Sequence, residues 1–168
     1  MSNTNLSVEQ RVARLEDIEA IKQLKSKYAR NLDNGFDADR VAALFTDNGL
    51  WSIKGVGGMA QGKDGIRNHC RNLSSSIEWA QHHIASPLVN IASDGIHAEA
   101  TFYLLCLVTM RGTTNDAQPE AVVLSGKYSD KLVKIAGEWY FDEINGDIEQ
   151  SSPWTDGWVK SRFVKEAW

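Results

Sequence analysis

Partway along the chain the spacing of apolar residues changes period, and that change constrains the fold more than any other feature. Before it, Val12, Leu15, Ile18, Ile21, Leu24, Tyr28 and Leu32 recur at steps of three or four, one stripe of an α-helix. After it, Ile96, Ala98, Ala100, Phe102, Leu104, Cys106, Val108 and Met110 take alternate positions, the two-residue period of a strand. The stripe predicts a long helix over residues 7–33. It closes at Asn34-Gly35, where glycine takes the left-handed conformation that ends helices. Asp37 then caps a short second helix through Val41, Leu44 and Phe45. Leu50-Trp51-Ser52-Ile53 reads as a short strand and Gly55-Val56-Gly57-Gly58 as a loose turn. A third helix over residues 63–74 puts Ile66, Cys70 and Leu73 on one side.

The long strand has a second face, polar at His97, Glu99 and Thr101 and apolar at Leu105 and Leu107. A strand covered on one side at its start and on both at its end suits a curved sheet folded around something. Further strands are expected over residues 81–92, 120–133 and 138–147, the last two joined at Ala136-Gly137, with a loop over residues 112–119. Helices first and about four long strands afterwards indicate an α+β fold with an antiparallel sheet rather than a doubly wound parallel one.

A chain of 168 residues suits one domain, residues 1–168, with residues 150–168 as a Trp-rich C-terminal tail. At this size roughly 70% of the unfolded surface can be buried, enough for a core and an internal cavity. Eighteen basic and 22 acidic residues are spread along the chain for a net charge of -4, so no footprint for nucleic acid is visible. Cys70 and Cys106 match neither a zinc spacing nor a disulfide framework and read as free thiols in a reducing compartment. The first twenty residues lack the order of a signal peptide, and no apolar stretch is long enough to span a bilayer. A cytoplasmic protein without a membrane partner is expected. Trp154, Trp158 and Trp168 crowd the tail, which should pack as a pocket lid or as a subunit interface.

Asp33 is the position most informative about chemistry. A carboxylate in the last turn of a helix meets the negative end of the helix dipole, which is unfavourable unless something compensates. It is either a solvated aspartate beside a turn or the partner of a histidine, which it would orient and whose protonated form it would stabilise. Of the four histidines, His69 on the third helix and His97 on the polar start of a strand read as surface residues. His82 and His83 open a strand, where successive side chains point to opposite faces, so only one of them can face a pocket and they cannot jointly hold a metal. Tyr28 lies on the apolar stripe of the first helix, so its ring should be buried and its hydroxyl needs a partner. Five residues separate it from Asp33, about 140° around a regular helix, so both reach one cavity only if the helix end unwinds near Asn34.

The run DIEAIKQLKSKYARNLDNG, Asp17 to Gly35, resembles the opening helix of SnoaL-like enzymes in the nuclear transport factor 2-like superfamily. It is nearest to the bile acid 7α-dehydratase, scytalone dehydratase and lindane dehydrochlorinase group. FYLLC and GEWYFDEINGDI extend the resemblance weakly along the chain. It implies a cone-shaped (cystatin-like) fold, with N-terminal helices packed on a curved antiparallel sheet enclosing a pocket. It also implies a catalytic set of a tyrosine, an aspartate five residues on and a histidine from a later strand. Tyr28 and Asp33 match without a gap, and His82, followed by Ser86 and Pro87 at the family spacing, matches better than His83. Trp51, His83, Tyr103 and Cys106 are the expected substrate contacts.

Two departures stand out. Cys106 occupies a place that is acidic in the dehydratase, and the family's basic residues near the last strands have no match closer than Lys134 and Asp147. The implied activity is a cofactor-independent lyase acting on a hydrophobic cyclic or aromatic small molecule, by loss of water, halide or formaldehyde. An isomerase or cyclase on a polycyclic or steroid-like molecule, and a non-catalytic ligand-binding or oligomerisation module, are the alternatives. No cofactor motif or metal-ligand cluster is present. A homo-oligomer is expected, with a trimer favoured over a dimer.

Overall fold

The computed structural model describes residues 6–55, 58–112 and 118–163. Helix α1 spans Val8–Asp33, α2 Ala38–Ala42 and α3 Gly62–Ser76, and a last turn, α4, covers Gly157–Lys160. Six strands, β1 Phe45–Lys54, β2 Gly58–Gln61, β3 Ile77–Ile91, β4 His97–Met110, β5 Glu120–Ile135 and β6 Glu138–Pro153, form one sheet in the order β2-β1-β6-β5-β4-β3. All neighbours are antiparallel except β1 and β6, which run parallel, so the sheet is mixed where an antiparallel one was expected. The chain returns from the helices to lay β1 beside the last strand, an arrangement invisible to local periodicity.

Helix α1 starts at a full capping box: the Ser7 hydroxyl accepts from the Gln10 amide while the Gln10 side chain accepts from the Ser7 amide. It ends where Gly35, at φ 70°, and Phe36, at φ 58°, both take left-handed backbone. The C-terminal half of its stripe is buried: Ile21, Leu24, Tyr28 and Leu32. The N-terminal half is not, since Val12 and Leu15 are exposed. One residue off the apolar list, Lys25, is fully buried.

Helix α2 stops at Ala42, because Leu44 and Phe45 turn into β1, where Phe45 packs on Phe141 in the core. The expected loose turn at residues 55–58 is followed by an added strand, β2, paired with β1; Val56 and Gly57 lie outside the described residues, as do residues 113–117 of the expected loop.

Curvature of the sheet has identifiable causes. Register shifts interrupt β3–β4 between Ala85 and Leu88, with Ser86 at φ 52°, and β5–β6 between Ser125 and Gly126. At Gly126 a Cβ would run into the Asp147 carbonyl, so only glycine allows the two strands to approach there. The concave face is filled by alternate residues of β4, from Ala98 to Met110, and by Phe141, Ile144 and Ile148 of β6. Full burial of each large side chain is worth about 1.5–3 kcal/mol. Helix α1 packs against β3, while α2 and α3 pack on each other and α3 on β1.

The outer face stays more open, with Tyr103 and Leu105 exposed. Residues 150–153 continue β6 rather than starting the tail, and Trp158 of α4 lies in a hollow with Leu105 and Val123 on that outer face. Trp158 therefore sits away from the interior cavity, and Trp168 lies outside the described residues.

Candidate active site

Between α1, α3 and the concave face lies an apolar cavity of about 70 Å³. Its polar atoms come from few side chains: His82 on β3, Tyr28 on α1, Trp51 on β1 and Tyr128 on β5.

His82 faces inward because the two-residue period of β3 puts it in line with Ala80 and Ile84, leaving Gln81 and His83 outside. Its ring contacts Asp33, Nδ1 to Oδ1 at 2.6 Å, and its backbone N–H donates to the same oxygen at 2.9 Å. Strand β3 is at the edge of the sheet, so this amide is turned toward the helix end rather than wasted on solvent. Two donors on one carboxylate oxygen are the compensation that a carboxylate in the last turn of a helix needs. As the carboxylate accepts, Nδ1 carries the proton in this contact and Nε2 is the ring nitrogen left to the cavity. Phe36 meets the imidazole edge-on at 6.5 Å between ring centres and also lines the cavity.

Tyr28 is fully buried, and its hydroxyl accepts a hydrogen bond from Trp51 Nε1 at 2.7 Å. Its O–H proton is left for the neighbouring Tyr128 hydroxyl, with which it also interacts, or for a ligand. Burial, then the neighbouring Tyr128, push the Tyr28 phenol well above its ordinary range. It is therefore a neutral donor.

The helix does not unwind to bring Tyr28 and Asp33 into one cavity. Tyr28 lines the interior cavity, Asp33 a separate outer hollow with Arg30 and His83, and the His82 ring lies between the two, lining both.

Of the expected substrate contacts, Trp51 lines the cavity. His83 is exposed and faces the outer hollow, and Tyr103 is exposed in a groove across the outer face with Lys127 and Asp147. Neither reaches the cavity, because each occupies the outward phase of its strand. Cys106 is buried opposite His82 in the β3–β4 register, beneath the cavity wall. Burial first, and the charge of Asp33 second, push its thiol up, and burial pushes Cys70 to about 12, so neither is a ready thiolate.

Lys134 is bound to Asp17 at 2.6 Å, alongside Trp139 Nε1 at 2.9 Å on the same oxygen, and ties α1 to the β5–β6 turn instead of serving the cavity. His69 is not a plain surface residue: it meets Trp51 edge-on, with 4.3 Å between ring centres and 62° between the planes. Phe36 and Tyr128 were not expected at the site. The left-handed backbone beyond Asn34-Gly35 aims the first, and the inward phase of β5 the second. Among the described residues no three His, Cys, Asp or Glu side chains are grouped to hold a metal ion, and no helix is long and apolar enough to cross a membrane.

Solved structures with this architecture include a hexachlorocyclohexane dehydrochlorinase of type 2, 20% identical over 85% of this chain and 92% of its own, with a TM-score of 0.75. A scytalone dehydratase candidate from Novosphingobium aromaticivorans is 21% identical over 86% and 91%, with a TM-score of 0.73. A protein of cystatin-like fold from Nostoc punctiforme is 19% identical over 85% and 93%, with a TM-score of 0.61. At these identities the likeness is one of fold, helices packed on a curved sheet. A SnoaL-like domain matches residues 13–145, from the second turn of α1 into β6, and the chain belongs to that family.

Proposed function

We propose that the protein is a cofactor-independent lyase that eliminates water, halide or formaldehyde from a small hydrophobic ring compound. One observation carries this reading: the His82 ring is held by Asp33 at 2.6 Å on one side and lines an apolar cavity on the other. For loss of water or halide, His82 Nε2 takes a proton from substrate carbon, the C–H electrons form the new double bond, and the leaving group departs with its bonding pair. For loss of formaldehyde, His82 takes the O–H proton of a hydroxymethyl group, the O–H electrons form the C=O bond, and the electron pair of the broken C–C bond passes to the ring carbon, which takes the proton back from the imidazolium. Asp33 holds the imidazole and stabilises its charged form, while Tyr28 donates a hydrogen bond to the leaving atom or to an activating carbonyl. Acid–base help of this kind is worth on the order of 10²–10⁴-fold, and the dry aromatic walls supply the preorganised surroundings for the rest.

Cavity size favours a single ring. At about 70 Å³ it is smaller than the roughly 150 Å³ engineered cavity that holds benzene, so even one ring requires the walls to part and a polycyclic skeleton requires far more. This favours elimination on a monocyclic compound over isomerisation of a steroid-like one. The open outer face, with Leu105, Tyr103 and Trp158 exposed, supports assembly into a homo-oligomer.

The test compares wild type with His82→Ala, His83→Ala and Asp33→Asn on a panel of hydroxylated and halogenated ring compounds by mass spectrometry. Loss of the mass of water, hydrogen chloride or formaldehyde that needs His82 and Asp33 but not His83 is the expected result. A product of unchanged mass would replace elimination by isomerisation.

A further inference from the structure

The elimination chemistry leaves one charged group of the interior unused. Lys25, one turn before Tyr28 on α1, is 1% exposed, and its Nζ is 2.8 Å from Asp130 Oδ2 on β5, itself fully buried. The contact is a close charge pair, buried on both sides. The ammonium also lies 3.4 Å from the ring centre of Tyr128 and 4.7 Å from that of Tyr28, with Phe102 and Phe141 at 5.3 and 5.5 Å. Tyr128 and Tyr28 meet edge to face, 6.2 Å between centres at 86°, and both line the cavity. A desolvated ammonium over an aromatic face is worth about 2 kcal/mol or more and fixes the ring it sits on.

We propose that Tyr128 is a second hydrogen-bond donor to the ligand, paired with Tyr28, and that Lys25 is the positioning residue that sets both phenols toward the cavity. The two phenols also interact through their hydroxyls, so the cavity wall offers a linked pair of neutral phenols rather than a single donor. A buried ion pair is a poor device for stability alone, since apolar residues of similar volume do as well or better. Here the cation touches the two tyrosines of the cavity wall, which gives the pair a task. The surroundings also keep the donors protonated: burial first, then Cys106 and Asp130, push the Tyr128 phenol up, and Asp130 acts on Tyr28 in the same direction. Burial in turn holds Lys25 at about 8, the charge of Asp130 opposing the shift. The charged or titratable groups facing it are Asp130, Tyr28 and Tyr128.

This inference rests on the cavity being the ligand site proposed above, but its test does not use the dyad. The probe is 4-nitrophenol, which has nothing to eliminate and whose oxygen reads hydrogen-bond donors by its absorbance. Variants are Tyr128→Phe, Lys25→Met and the double Lys25→Met/Asp130→Leu, which removes both charges and so avoids an unpaired carboxylate. Saturable binding by wild type, weakened about tenfold or more in Tyr128→Phe and in the double variant while its melting temperature stays near wild type, is expected. In protein carrying ¹³Cζ-tyrosine, the resonances of Tyr28 and Tyr128 should follow a titration near pH 8 that the double variant lacks.

Wild-type binding retained by Tyr128→Phe, or no saturable binding in the millimolar range, overturns the donor assignment. Full binding by the double variant reduces Lys25 to a structural charge. Neither result touches the elimination reading, which stands or falls with His82 and Asp33.

Discussion

Two histidine–aspartate pairs in this molecule have almost the same contact and different surroundings. His82 Nδ1 is 2.6 Å from Asp33, and His97 Nδ1 is 2.8 Å from Asp94. The first joins the end of a helix to an edge strand across 49 residues and leaves the imidazole 10% exposed beside a cavity. The second spans three residues of the β3–β4 turn, where Asp94 also accepts the backbone N–H groups of Ile96 and His97, and its imidazole is 60% exposed. Contact distance therefore does not mark a site. What distinguishes His82 is that one ring nitrogen is fixed by a long-range partner while the ring fronts a cavity lined mainly by apolar side chains.

The largest effect separating the pairs should appear in turnover. Once a substrate is in hand, Asp33→Asn or His82→Ala should lower kcat by on the order of 10²–10⁴-fold, and Asp94→Asn or His97→Ala should leave it unchanged. Equal losses in steady-state assays would break the distinction.

The next effect concerns the third pair, the buried Lys25 and Asp130. Removing one partner strands a charge in the core, so Lys25→Met should cost about 3–5 kcal/mol in urea denaturation, and adding Asp130→Leu should recover most of it. A loss as small as that of an exposed pair would mean that water reaches this site.

A smaller effect follows from the Lys25 titration. Its folded pKa, about 8, lies below the ordinary 10.5, so between these values the unfolded chain holds a proton that the native state has released. Raising pH through that window should therefore add stability relative to the double variant, as measured by denaturation midpoints below pH 8 and above pH 10.5. A difference that does not change with pH would show that Lys25 titrates normally.

The smallest effect is expected at Asp94, whose carboxyl is held at about 2, first by the His97 side chain and then by the Ile96 and His97 amides. This depressed value favours the native turn above the ordinary 3.8, and the advantage fades as pH falls through about 2. Since the pair is open to solvent, salt should weaken it. Amide shifts of Ile96 and His97 followed through the acid range would show a midpoint near the ordinary carboxylate value if the bonds do not persist in solution.

By itself the sequence determined whatever depends on period and on backbone chemistry. The three- or four-residue stripe located α1 to within a residue of its ends, and the alternation of β4 put Cys106 and Leu104 inward, because both signals are local and repeat many times. Asn34-Gly35 marked the helix end, and the histidine–aspartate pairing followed from a resemblance carried by one helix and a few residues of β3. The parallel pairing of β1 with β6, the added strand β2 and the outward placement of His83 and Tyr103 needed the sheet, since strand partners and the covered face are set by residues far away in the chain.

Only the tertiary structure decided how the surroundings of Asp33 and Tyr28, on different sides of one helix, are connected, because the edge strand carries His82 between them. It also decided that Lys25, written like any solvent-facing lysine, belongs to the interior. Its partner Asp130 lies more than a hundred residues away, and no local pattern distinguishes a lysine that meets a buried carboxylate from one that meets water.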